Sequence, residues 1–186
     1  DWEDLYHGGF YSPEMQSRFS FVRTRHQKHI KDGDFAKHMT AVNKLQHTKW
    51  AINPRVRHFL EWIAGTGFAT KAKLPPMQPY EFPSSPVYGI DKEKFTAKQE
   101  QEFTDWKRET AAMHTKERKR FSEALALHRL FKMVDEYAEY REFYFVYTAD
   151  FRGRLYPVTS GLSPQGADYS KGVLQFAEAK RLGDRG

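Results

Sequence analysis

Apolar positions change their spacing several times along the chain. Phe19, Phe21 and Val22 alternate over too few residues for a helix and read as a short, buried strand. Gly8-Gly9 and Ser12-Pro13 break any helix before it, so residues 1–35 are expected to be irregular. From Phe35 onward Met39, Val42, Leu45, Ile52, Val56, Phe59, Leu60 and Ile63 recur at helical spacing. Asp32-Gly33-Asp34 reads as a turn whose last carboxylate caps that helix; a metal-binding pair is the other reading, and turn chemistry is the simpler one. Asn53-Pro54 is a good N-cap and first-turn pair, so a break or kink is predicted there, and Gly65 and Gly67 end the run.

Residues 68–95 hold Pro75, Pro76, Pro79, Pro83 and Pro86 and read as a long, extended connector, with Tyr88-Gly89 making a turn in it. Thr96-Ala97-Lys98-Gln99 has the capping-box pattern and opens a stretch without proline or glycine that lasts until Gly153. Phe103, Trp106 and Met113 form one apolar stripe; Phe121, Leu125, Leu127, Leu130, Phe131, Val134 and Tyr137 form a second. One helix carrying both would run about 40 residues, or about 60 Å. Between the stripes lie His114, Lys116, Arg118, Lys119 and Arg120, with Glu117 the one acid. A solvated face accounts for this, and so does a projecting helix that lays positive charge along a phosphate backbone.

Phe143 to Thr148 is β-branched and aromatic, which predicts a strand, with Leu155-Tyr156-Pro157-Val158 as its return partner. Asp150-Phe151-Arg152-Gly153 between them suits a type I turn. That turn presents Arg152 and Arg154 beside a glycine, which lets another backbone approach closely. A second loop, Ser163-Pro164-Gln165-Gly166, leads to Lys171-Gly172 and the apolar Val173, Leu174, Phe176 and Ala177. The pattern as a whole predicts a mainly α fold with a small β part (α+β).

Composition narrows the function. Of 186 residues, 30 are Lys or Arg and 24 are Asp or Glu, a net charge of +6; 39% are hydrophobic and 16% aromatic, which places the chain among folded proteins. The absence of cysteine removes disulfide frameworks, thiolate zinc sites and cysteine nucleophiles. No apolar stretch approaches the roughly 18 residues that span a bilayer, and no signal peptide opens the chain, so a soluble, intracellular protein is expected. The start at Asp1 and the end at Arg181-Leu182-Gly183-Asp184-Arg185-Gly186 suggest a piece of something larger.

Among the histidines, only His26 and His29 are closely spaced, with no third ligand indicated, and no P-loop, dinucleotide fingerprint or serine elbow occurs. Basic clusters at 18–31, 107–120 and 152–154, with Lys171 beyond, each lie near aromatics. This points to nucleic acid, with a membrane surface or an acidic protein partner as competitors.

Asp150-Phe151-Arg152-Gly153-Arg154-Leu155-Tyr156-Pro157 resembles the DFRGR-Y-P segment of the single-subunit DNA-directed RNA polymerases of bacteriophages and mitochondria. The similarity continues through Pro164-Gln165-Gly166-Ala167-Asp168, Lys171-Gly172-Val173-Leu174, Phe176-Ala177 and Leu182-Gly183. Upstream, residues 41–53 are similar to the helix that opens the family's thumb, and Val22-Arg23-Thr24 and Trp106-Lys107-Arg108 fall in the expected order.

The resemblance implies the end of an N-terminal region over 1–35 and a thumb-like helical region over 36–140, with its proline-rich connector at 68–95. Residues 141–186 would start the palm with the DFRGR hairpin. It implies that Arg154 binds a template-strand phosphate, that Asp150 orients the arginines and that Gly153 forms their corner. Arg152, Tyr156 and Lys171 would lie near the hybrid or template, and Lys116, Arg118, Lys119 and Arg120 would grip the hybrid from the thumb.

The family's palm aspartate after this segment, its fingers motif with a lysine and a Tyr-Gly, and its second aspartate in an HDS motif are absent from these residues, and with the two aspartates go the magnesium ligands. The chain alone is therefore expected to bind no Mg2+ and to be inactive. The complete enzyme would bring Mg2+, DNA template, RNA transcript and nucleoside triphosphates, with a second polymerase chain as one source of the missing parts. The implied location is the cytoplasm of an infected bacterial host, or a mitochondrion. The alternative is a non-catalytic nucleic-acid-binding module derived from the polymerase fold.

Overall fold

The computed structural model describes residues 1–66, 74–181 and 183. In chain order the elements are α1 (Pro13–Gln16), β1 (Val22–Arg23), α2 (Asp32–Gln46), β2 (Trp50–Ile52) and α3 (Pro54–Ala64). Then come α4 (Ala97–Tyr137), β3 (Tyr147–Asp150), β4 (Leu155–Pro157), α5 (Asp168–Gly172) and β5 (Leu174–Phe176). Long helices and two small sheets make this an α+β fold, as the pattern of apolar positions predicts. Contacts divide it into one unit of residues 1–60 and 130–186 and a second of residues 61–129. Gly67, residues 68–73 of the proline-rich stretch, and Leu182 lie outside the described residues.

The first unit is organised around β3. β1 pairs with it in parallel (Val22 opposite Ala149, Arg23 opposite Asp150), and β4 pairs antiparallel (Tyr147 opposite Pro157, Ala149 opposite Leu155). Phe21, Val22, Ala149 and Thr148 are buried, and the Trp2 ring meets Phe21 edge-on at 5.8 Å. The first peptide of β3 is bracketed by side chains: Tyr147 N–H donates to Gln46 Oε1 at 2.9 Å, and its carbonyl accepts from Trp2 Nε1 at 2.7 Å. Asn43 closes the arrangement by exchanging two hydrogen bonds with the Trp2 backbone. Polar groups on α2 thus satisfy buried backbone that the sheet leaves unpaired.

Three expectations change. Asp34 does not cap α2: the helix takes in Asp32-Gly33-Asp34 as its first turn, and Lys31 is the N-cap residue without a side-chain hydrogen bond. The stretch 41–53 is not one helix. α2 ends at Gln46, and β2 intervenes, paired antiparallel with β5. Asn53 then caps α3 by accepting from the N–H groups of Arg55 and Val56, which is the break predicted at Asn53-Pro54. The strand expected at 143–148 starts only at Tyr147; Phe143 instead makes an isolated bridge to Trp50, inside a cluster with Phe145, Tyr137 and Phe176.

The second unit consists of a stretch of α4 and the connector strapped to it. α4 is a single helix of 41 residues, and Thr96 and Gln99 form the capping box at its start. Trp106 Nε1 donates to the Pro83 carbonyl at 2.9 Å, the Phe82 ring lies 4.6 Å from that of His114, and Tyr80 N–H donates to Glu117. Prolines suit such a strap because they fix φ and leave carbonyls free as acceptors.

Candidate nucleic-acid interface

The β3–β4 hairpin owes its tip to one carboxylate. Gly153 N–H donates to the Asp150 carbonyl at 2.9 Å and Asp150 N–H to the Arg154 carbonyl at 2.8 Å, closing a three-residue loop. Asp150 Oδ1 then accepts from the N–H of both Arg152 and Arg154, each at 2.9 Å. Gly153 has φ +77°, the left-handed conformation that a loop of this length needs at its last position. Asp150 is mostly buried, and desolvation by itself would raise its carboxyl. The two N–H donors and the charges of both arginines outweigh that and hold it below its usual range.

With its backbone fixed in this way, the loop turns its side chains to solvent. The Arg152 guanidinium lies 5.2 Å from the centre of the Phe151 ring, and its Nε is 3.5 Å from Asp150 Oδ2. Arg154 is exposed and, among the described residues, has no carboxylate within ion-pair distance. Tyr156 is on β4 opposite Thr148, at the exposed limit of the strand. Gln165 Nε2 donates to the Leu155 carbonyl at 3.0 Å, which ties the second loop to β4. Behind it Ser170 Oγ donates to Gly161 O and accepts from Ser163 N–H. Lys171, next along α5, pairs with Asp168 at 2.9 Å and remains about half exposed.

The four cations expected to grip the hybrid from α4 do not act alike. Lys116, Arg118 and Lys119 are exposed on α4. At about 100° per residue, Lys116 and Lys119 are neighbours on the helix surface, while Arg118 points well away from both. Lys119 lies 3.9 Å from Glu123. Arg120 departs from the expectation of an exposed grip: it is 5% exposed. Its Nε and Nη2 donate to the two Glu117 oxygens at 2.8 and 2.7 Å, and its Nη1 to the carbonyls of Pro76 and Met77. Bonding to Arg120, helped by the Tyr80 N–H, drops the Glu117 carboxyl to about 2.

Sequence reasoning left Arg25, His26 and His29 outside the site. They belong to the 18–31 cluster, and only the parallel pairing of β1 with β3, two segments far apart in the chain, brings that cluster beside the hairpin. No group of three His, Cys, Asp or Glu that could hold a metal ion occurs among the described residues. No helix among them is long and apolar enough to cross a membrane.

No family model matches the chain. It is 29% identical to T7 RNA polymerase of Escherichia phage T7 over 189 residues, covering all of this chain and 20% of that protein. It is 30% identical to the DNA-directed RNA polymerase of Pseudomonas phage phiKMV, again over the whole chain and 24% of the relative. The chloroplastic/mitochondrial DNA-directed RNA polymerase 2 of Nicotiana sylvestris is 30% identical over 78% of this chain and 13% of its own length. The chain therefore spans about a fifth of the length of the phage relatives it matches. The chain is thus similar over its full length to a segment of phage DNA-directed RNA polymerases, and over about four fifths of it to a segment of the organellar enzymes of this single-subunit family.

Proposed function

We propose that this chain is a segment of a DNA-directed RNA polymerase that holds template DNA and the RNA–DNA hybrid, while metal binding and nucleotidyl transfer are supplied by residues beyond these 186. The observation that carries the reading is the hairpin tip. Asp150 fixes the backbone of Arg152 and Arg154, so the turn that presents their guanidinium groups is ordered before a phosphate arrives and only the side chains remain to be fixed. Lys171 and the exposed Lys116, Arg118 and Lys119 add phosphate contacts on their own elements; Arg120 does not. Such contacts position a strand and carry no base information. Template, transcript and nucleoside triphosphates are the partners of the complete enzyme, with Mg2+ bound by its other parts. On this reading the segment alone is inactive, and it works as part of a longer polymerase or beside a second chain.

Binding of the chain to a blunt RNA–DNA hybrid, followed against salt, tests this. Arg154→Ala should lower affinity equally for hybrids of different sequence and reduce the log–log salt slope by about 0.9, the value for one duplex phosphate contact. Binding that ignores salt, or a variant that changes base preference at unchanged affinity, would refute the assignment.

A further inference from the structure

Beside the arginine turn lies an open groove of about 620 Å³, lined by Arg23, Arg25, His26, His29, Ile30 and Phe151. Its construction follows from the fold. Pairing of Arg23 with Asp150 carries the chain after β1 along the hairpin tip. His26 N–H then bonds Thr24 Oγ1 at 3.1 Å, and His29 N–H bonds the His26 carbonyl at 3.1 Å. That single helical turn leaves the two imidazoles 6.3 Å apart. The Phe151 ring, 66% exposed, supplies the opposite wall.

Two chemistries meet here. Phe151 and Ile30 offer an apolar face, while Arg23 and Arg25 offer positive charge and the imidazoles offer hydrogen-bonding nitrogens. No acid lines the groove, and Asp150, which precedes Phe151 in the chain, is engaged by the turn. Among the described residues neither Arg23 nor Arg25 has an ion-pair partner. An aromatic face within a cationic rim fits a nucleotide, whose base stacks while its phosphate takes the arginines. The volume is that of a small-ligand site. A base inside a duplex has both faces covered by its neighbours and cannot enter.

We infer that this groove binds an unpaired nucleotide of a single strand, with the base against Phe151 and the phosphate on Arg23 and Arg25. The inference rests on the reading that the hairpin faces nucleic acid, and it adds that the strand leaving the duplex is held separately from the duplex itself.

The probe is a short single-stranded oligodeoxynucleotide carrying one central 2-aminopurine, titrated into the 186-residue chain beside a blunt RNA–DNA hybrid. The oligonucleotide should bind with quenching of the 2-aminopurine. Phe151→Ala should remove the quenching and weaken binding about 5- to 150-fold, the range for one lost base–aromatic stack. Arg25→Ala should weaken it and lower the salt slope by about 0.7. Both side chains are exposed, so neither change disturbs the core, and Arg25→Ala, which lies outside the hairpin, should hold the blunt hybrid as the parent does. Binding without quenching, no binding, or variants as tight as the parent would overturn the groove. Hybrid binding lost with single-strand quenching intact would instead defeat the hybrid assignment and leave the groove standing.

Discussion

Two arginine sites drawn from basic stretches of the chain have opposite fates. At the strap, Arg120 spends four hydrogen bonds on Glu117 and on the Pro76 and Met77 carbonyls, and is buried. At the hairpin tip the carboxylate of Asp150 holds the peptide N–H groups of Arg152 and Arg154, and the guanidinium groups remain open to solvent. One acid consumes the cation, while the other consumes the backbone around it. The charge available to a polyanion therefore depends on which donor the nearby carboxylate takes, and counting cations does not reveal it.

Replacing Arg120 should have the largest effect and the least to do with nucleic acid. Arg120→Met strands Glu117 and two carbonyls, and Arg120→Lys keeps the charge but cannot reach four acceptor oxygens in a fixed fork. Both should lower the melting temperature by several degrees, Met the more, with hybrid affinity per folded molecule unchanged. Full stability with lost affinity would move Arg120 to the binding side and erase the contrast.

Next comes the turn. Asp150→Ala frees two N–H groups at once and should speed amide exchange at Arg152 and Arg154 at least about tenfold, with weaker hybrid binding because the arginines must then be ordered by the ligand. Asp150→Asn keeps an acceptor oxygen and should fall between. Unchanged exchange in Asp150→Ala would show the loop to be held by Gly153 and its strands alone.

Much of this was legible in the residues. The single long helix, its capping box, the break at Asn53-Pro54 and the Asp–Gly turn are all local, and local chemistry specifies them. What escaped was long-range. Nothing near Val22 says that it pairs with Ala149, so the basic stretch after it could not be placed beside the hairpin. The burial of Arg120 had a partial signal, a glutamate three residues before it, but the carbonyls that complete its shell come from Pro76 and Met77. The delayed start of β3 also depends on a distant partner, since Trp50 holds Phe143 in a bridge. The candidate site was therefore readable in the sequence only as a set of residue types, and which of those cations stay exposed was not.

A smaller effect belongs to the exposed helix cations. Lys116→Ala with Lys119→Ala should flatten the salt dependence of hybrid binding by at most about two contacts, roughly 1.8 in slope. Glu123 beside Lys119 already offsets part of that charge, so the shift should fall short of the limit. An unaltered slope would assign both lysines to solvent, as Arg120 is assigned to the strap.

Acid should dissolve both arginine arrangements, by small and separable steps. The folded Glu117 carboxyl is held at about 2 against its ordinary 4.5. Its ion pair therefore contributes fully above pH 4.5 and is lost as pH falls towards 2. Tyr80 N–H, which donates to the same carboxylate, should lose exchange protection across that window. The indole N–H of Trp106, bonded to the Pro83 carbonyl, contains no titrating partner and should keep its protection while the strap stays in place. Asp150 is also held below its ordinary 3.8, so Arg152 and Arg154 N–H groups should loosen only below that value. Glu117→Gln should abolish the pH dependence at Tyr80 and leave that of the turn untouched. If Tyr80 and Trp106 lose protection together, the strap opens as a whole and the carboxylate is not its latch.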